Sequence, residues 1–301
     1  MTPRKDKPAE VSVKLAFVYA LVGAIGLGAI TTQAKLTYAD GGNALTLMFW
    51  RFLMAVIAIG LLVFLRRQSF RVPRLMWGSV ALLGFVWSGA MIAYLFSVEY
   101  ISVSVAVIIL YSYPLIVLGV SVTQGRMIRS GRVVTLFILA FGGIVLMLLN
   151  AQMLLHPVGL LFVCLAAVGA AYTFLAGERV ASAMNPVVLT FWVNAIGLGI
   201  IIPLVIGHYQ PPQSALGLAA LAGATGCYII AIVCQFKALA EGSSDRVAFI
   251  FNTEPVISIV LALLVLDESL DVVQWIGVGL VLTALFLFTR LTVSQVSENE
   301  S

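Results

Sequence analysis

The 301-residue chain is 61% hydrophobic, carries charge on only 10% of its residues and has a mean hydropathy of +1.09. Soluble domains carry about 25% charged residues, so this composition excludes a soluble globular protein and requires an integral membrane protein. The net charge of +4 is spread over short loops, which argues against a nucleic-acid-binding face and reports membrane orientation instead.

In chain order, a basic leader with Arg4, Lys5, Lys7 and Lys14 precedes the first apolar stretch. Its length and the train of apolar segments behind it favour a first transmembrane helix over a cleaved signal peptide. Ten spans are expected, at roughly 13–34, 44–65, 76–97, 101–123, 132–150, 157–177, 186–207, 215–239, 246–266 and 272–290. Each is near the length that crosses about 30 Å of hydrocarbon as a helix. The short alternating segments of a membrane barrel are not seen.

With the N-terminus inside, 15 of the 17 Lys and Arg residues fall at cytoplasmic positions. Lys35 falls outside and Arg51 within a span, while the outer turns carry Asp40, Glu99, Asp267, Glu268 and Asp271. This bias predicts that both termini are cytoplasmic.

The chain also repeats itself. A shift of 142 places LTLMFWRF from Leu45 on VVLTFWVN from Val187, and a shift of 141 places ILYSYPLIVLGVSV on IFNTEPVISIVLAL, with Pro114 on Pro255. The expected fold is therefore all-α and polytopic, with ten transmembrane helices in a five-plus-five inverted repeat over residues 13–150 and 157–290. The inversion follows from the odd number of spans per repeat, and it permits two related states open to opposite sides. Gly23, Gly26 and Gly28, Gly142 and Gly143, and Gly277 and Gly279 suit close helix packing in lipid.

FWRFLMA at 49–55, YISVSVAVIILYSYPLIVLGV at 100–120, ALAEGSSDRVAFIFNTEPVISIVLALLVLDE at 238–268 and WIGVGLVLTALFL at 275–287 resemble the EamA family of the drug/metabolite transporter superfamily. The resemblance covers residues 13–290. It implies a ten-helix inverted-repeat fold and membership among exporters of amino acids and other metabolites.

Glu254 is the residue of greatest interest, because a carboxylate inside an apolar span is tolerated only in a protein interior or a wet cavity. It could bind a substrate amine, carry a coupling proton or neutralise an arginine. Its counterpart in the first half is Tyr113, so a symmetric two-acid mechanism is disfavoured. Arg51 could offer its donor fork to a substrate carboxylate or phosphate, or snorkel to the interface. Pro114 and Pro255 interrupt matching spans and are read as kinks or hinges.

Trp87 pairs with Tyr228 and Tyr94 with Gln235 under the shift of 141. The seven-residue spacing within each helix puts both on one face, a possible cavity wall. Tyr113, Asn194 and Asn252 add directional hydrogen bonds. As single residues, all of these are also ordinary packing groups.

No cofactor is implied. His156 and His208 are too isolated for a metal motif, and there is no P-loop and no soluble region for an ATPase domain. The three cysteines lie in apolar segments and are expected as free thiols.

The expected function is a secondary transporter, exporting small amphipathic metabolites such as amino acids by alternating access, and not an enzyme. Its partners would be the metabolite, protons as a coupling ion, and the bilayer of the cell membrane (the inner membrane in a Gram-negative bacterium). A facilitative carrier or channel without ion coupling, and a receptor or scaffold, are the alternatives.

Overall fold

The computed structural model describes residues 9–97, 100–101, 103–125, 131–148, 156–265 and 271–299. The described residues form α1 (Ala9–Ala39), α2 (Ala44–Leu65), α3 (Trp77–Ser97), α4 (Val103–Leu110), α5 (Tyr113–Thr123) and α6 (Gly131–Leu148). They continue as α7 (Pro157–Ala183), α8 (Pro186–Val205), α9 (Ala215–Glu241), α10 (Ser244–Phe251), α11 (Glu254–Val265) and α12 (Val272–Asn299).

Among these residues, eight helical stretches have the length and apolarity to cross a membrane. The apolar segments Gly131–Leu146 and Val272–Phe288 are shorter. The protein is an all-α, multi-pass membrane protein. The expected outer residues Glu99, Asp267 and Glu268, and the basic residues Arg126 and Arg129, lie outside the described residues.

Two expected spans are not single helices. The stretch at 101–123 divides into α4 and α5 at Tyr111–Ser112, and that at 246–266 divides into α10 and α11 at Asn252–Thr253. The cause is Pro114 and Pro255, each in the first turn of the second piece, where a missing N–H costs no helical hydrogen bond.

The two breaks are built alike. Ser112 N donates to Ile109 O at 3.1 Å, and Thr253 N to Ile250 O at 3.0 Å. The hydroxyls of the same residues donate to the same carbonyls, at 2.6 and 2.8 Å. Tightened i→i−3 bonds thus satisfy backbone groups that lipid could not.

The most extensive packing joins α1 to α9, α3 to α7, α6 to α12 and α2 to α8. Small residues allow it. A Cβ on Gly143 in α6 would lie 2.7 Å from Gly277 O and 2.9 Å from Val281 in α12. A Cβ on Gly26 in α1 would lie 3.0 Å from Ala231 Cβ in α9, and one on Gly169 in α7 would lie 2.8 Å from Ala90 Cβ in α3.

The α2–α8 pair is fastened at both ends by matching residues. Asn43 caps α2 by accepting from Thr46 N at 2.8 Å, and its amide donates to His208 O at 2.7 Å and Gln210 Oε1 at 3.3 Å. Asn185 caps α8 by accepting from Val187 N at 2.9 Å, and its amide donates to Gln68 Oε1 at 3.2 Å. Asn43 and Asn185 are 142 residues apart in the chain, as are Gln68 and Gln210. Trp50 Nε1 donates to Tyr209 OH at 3.1 Å, and Trp192 Nε1 to Phe70 O at 2.9 Å.

Beside the first fastening, Asp40 in the α1–α2 turn accepts from Ser214 N at 2.6 Å. That bond to the Ser214 amide holds its carboxyl below the ordinary aspartate range. A depressed carboxyl stabilises the fold above its unfolded-state range and loses that effect as pH falls through the folded value. Asp40→Asn should therefore melt below wild type in detergent at neutral pH, with the difference closing as the pH falls through the carboxylate range. Gly143→Val should cost about 1–3 kcal/mol by overpacking α6 against α12, read as a lower melting temperature.

Candidate functional site

The helix breaks bring polar groups to one place. α11 begins at Glu254, the turn before α5 presents Tyr111, and α5 begins at Tyr113. Tyr111, Tyr113 and Tyr94 lie near Glu254. α1 closes against this point because Gly28 lacks a side chain. A Cβ there would stand 2.8 Å from Glu254 O and 2.9 Å from Ile257. Ser258, one turn along α11, donates to Gly28 O at 3.1 Å.

Arg51 turns inward from α2. Its guanidinium carbon lies 4.2 Å from the centroid of the Tyr228 ring, a cation–π contact worth about 0.5–2 kcal/mol. The snorkelling alternative does not describe this side chain. Arg51 is within electrostatic reach of Glu254 and Tyr38. Among the described residues the two make no direct ion pair, and both are half-buried as whole residues.

Tyr228 is held from three sides. Its hydroxyl donates to Asn194 Oδ1 at 2.8 Å and accepts from Trp87 Nε1 at 3.4 Å, and Phe52 packs edge-on at 6.1 Å. Asn194 Nδ2 in turn donates to Thr190 O at 2.8 Å. α3, α9 and α8 thereby fix the orientation of the ring under Arg51. Trp87 and Tyr228, which correspond to one another under the shift of 141, are in direct contact.

The second matched pair, Tyr94 and Gln235, behaves differently. Tyr94 is half-buried near Glu254. Gln235 is 1% exposed and neither of its amide atoms has a partner. A buried amide left unpaired is costly, so it marks a place where water or a ligand would be accommodated. Asn252 is buried at the α10–α11 break, and Pro114 and Pro255 are placed as already described.

Tyr113 stacks on Phe174 at 5.0 Å, and Phe174 meets Phe251 edge-on at 5.3 Å. One flank of the site is therefore aromatic. Sequence reasoning missed Tyr111, Phe52 and Phe174. For Tyr111 a signal existed, since the 141-residue shift places it on Asn252. A separate apolar groove of about 410 Å³ between α3 and α7, lined by Phe85, Val86, Gly89, Phe96, Phe162 and Leu165, holds none of these polar groups.

Among the described residues no cluster of three or more His, Cys, Asp or Glu could hold a metal ion, and Cys164, Cys227 and Cys234 are free thiols. Broken helices that bring an acid, an arginine and aromatic rings together inside a multi-pass bundle are the parts of a membrane transporter. The EamA-like transporter family matches residues 14–149 and again residues 157–290, so the chain belongs to that family.

One of 29 matching chains of known structure, a crystal structure of a protein, shares the fold. Its TM-score is 0.76 at 19% identity, over 91% of this chain and 99% of that one. No curated protein matches the sequence.

Tyr228→Phe keeps the ring under Arg51 and removes the donor to buried Asn194. It should cost about 1–3 kcal/mol through the unsatisfied acceptor, measured as lost thermal stability in detergent.

Proposed function

We propose that the protein is a secondary transporter that exports small amphipathic metabolites, amino acids or related compounds, by alternating access. On this reading ten spans form a five-plus-five inverted repeat, with repeats over 13–150 and 157–290, both termini cytoplasmic and the protein in the cell membrane. The observation that carries it is the pairing of a half-buried Glu254 and a half-buried Arg51 in one aromatic site without a direct ion pair.

A zwitterion fits that arrangement. Its carboxylate would meet the Arg51 fork and its amine Glu254, while Trp87, Tyr94, Tyr113 and Tyr228 provide apolar surface and Asn194, Gln235 and Asn252 directional hydrogen bonds. Tyr111 would orient the Glu254 carboxylate.

Protonation of Glu254 would couple transport to the proton gradient, since a neutral acid no longer holds an amine. Pro114 and Pro255 would serve as matched kinks about which α4 and α10 change their angle to α5 and α11. Without coupling, the same cycle would run as a facilitative carrier.

The test uses purified protein in sealed liposomes, with a panel of labelled amino acids and related metabolites, with and without an imposed pH gradient. Saturable flux should appear for at least one zwitterionic compound and respond to the gradient. Glu254→Gln should lower it about tenfold or more, the effect of losing about 1.4 kcal/mol of stabilisation. Equal flux in Glu254→Gln and wild type would sink the role given to the acid.

A further inference from the structure

In an inverted repeat, each half can take up the arrangement of the other, and that exchange generates the oppositely open state. Contacts that already have a matching counterpart survive the exchange. Contacts without one must be made or broken. The following rests on the inverted-repeat reading proposed above.

The α2–α8 fastenings are matched. Asn43 with Gln210 and Asn185 with Gln68 are the same amide pair at opposite ends, offset by 142 residues. Gly26 on Ala231 and Gly169 on Ala90 are matched as well, at offsets of 143 and 141.

The packing of α10 is matched only in part. α10 lies against α1 as α4 lies against α7, but it also lies against α5 and against α7, and these two contacts are unmatched. The counterparts would be α4 against α11 and α4 against α1, and among the described residues neither is comparably packed. With the N-terminus inside, α10 is the cytoplasmic half of its span and α4 the outer half of its own.

We propose that this structure is the outward-open state, with the cytoplasmic side sealed by α10 and latched to α7 through Glu178 and Ser244, while the α2–α8 seam stays closed throughout the cycle. Ser244 N, at the start of α10, donates to Glu178 Oε2 at 3.1 Å. An N–H in the first turn has no helical acceptor, and a carboxylate there also meets the positive end of the helix dipole.

About two turns along α10 from Ser244, Phe251 meets Phe174 of α7. In the inward-open state both contacts part. α4 then docks on α1 at the position matching Glu178, which the Gly26–Gly169 offset identifies as Lys35. A lysine accepts no hydrogen bond and its charge is repelled by a helix N-terminus. The outer seal therefore lacks an equivalent latch, and the equilibrium favours the outward-open state.

The test places a reporter, Tyr94→Cys, in full-length protein whose three native cysteines are replaced by alanine. A membrane-impermeant maleimide is applied to right-side-out and to inside-out vesicles, and the ratio of cytoplasmic to outer labelling is measured. Without further change, labelling should be mostly from outside. Glu178→Ala should raise the ratio about tenfold, the scale of one charge-assisted hydrogen bond, and Glu178→Gln, which keeps an acceptor, by less. Gln68→Ala, which cuts an α2–α8 fastening on the cytoplasmic side, should leave it unchanged.

An unchanged ratio in both Glu178 variants overturns the latch, and an equal rise in Gln68→Ala overturns the fixed seam. Should Glu178→Ala fail to give a monodisperse protein, Glu178→Gln decides alone. If no variant is labelled from the cytoplasmic side, the flux assay on the wild-type protein, with Tyr94 intact, separates two failures. Saturable flux means that only the latch assignment is wrong, and absent flux means that the transport reading itself falls.

Discussion

The structure depends on one constraint: a backbone group inside hydrocarbon must find a partner within the protein. Continuous helices meet it automatically, and most of this chain does so. At Tyr111–Ser112 and Asn252–Thr253 the helices stop, and the serine and threonine at the breaks bond back to Ile109 and Ile250 to cover the exposed carbonyls. These local repairs make interrupted spans affordable. They also set Glu254 and Tyr113 at the first positions of α11 and α5, with Tyr111 at the break before α5, so that the three converge.

The site inherits its character from that convergence. Glu254 stands at the start of α11 rather than mid-helix, so its environment is set by the neighbours across the break as much as by its own helix. Arg51 is fixed differently, by lying over a tyrosine whose hydroxyl is already engaged with Asn194 and Trp87. The charges are held by separate sets of helices and do not neutralise one another by contact. A site assembled this way responds to relative movement of those helices, because moving one set changes the distance between the charges without unfolding either.

Matching contacts give the bundle a second kind of order. The asparagine caps of α2 and α8 do double duty, closing a helix end with the side-chain oxygen and reaching the other helix's following loop with the amide. Glycines at Gly26 and Gly169 permit equivalent close approaches between α1 and α9 and between α7 and α3. Against this regular frame, the packing of α10 on α5 and on α7 has no comparable counterpart for α4 among the described residues.

Much of the fold was legible in the chain alone. Hydropathy is a local property that lipid enforces residue by residue, so α2, α3, α8 and α9 lie almost where the apolar stretches placed them. The repeat offset already aligned Pro114 with Pro255, and the structure shows what those prolines do: they divide two spans that hydropathy joined. The correspondence of Trp87 with Tyr228 was readable too, but only the structure shows that the two touch.

Tertiary structure alone decided which way Arg51 points, that Tyr111 attends Glu254, that Asn43 and Asn185 reach Gln210 and Gln68, and that Gln235 is buried without a partner. The physical reason is that these depend on the rotation and depth of one helix relative to another. Apolar lipid-facing sequence constrains length strongly and rotation hardly at all.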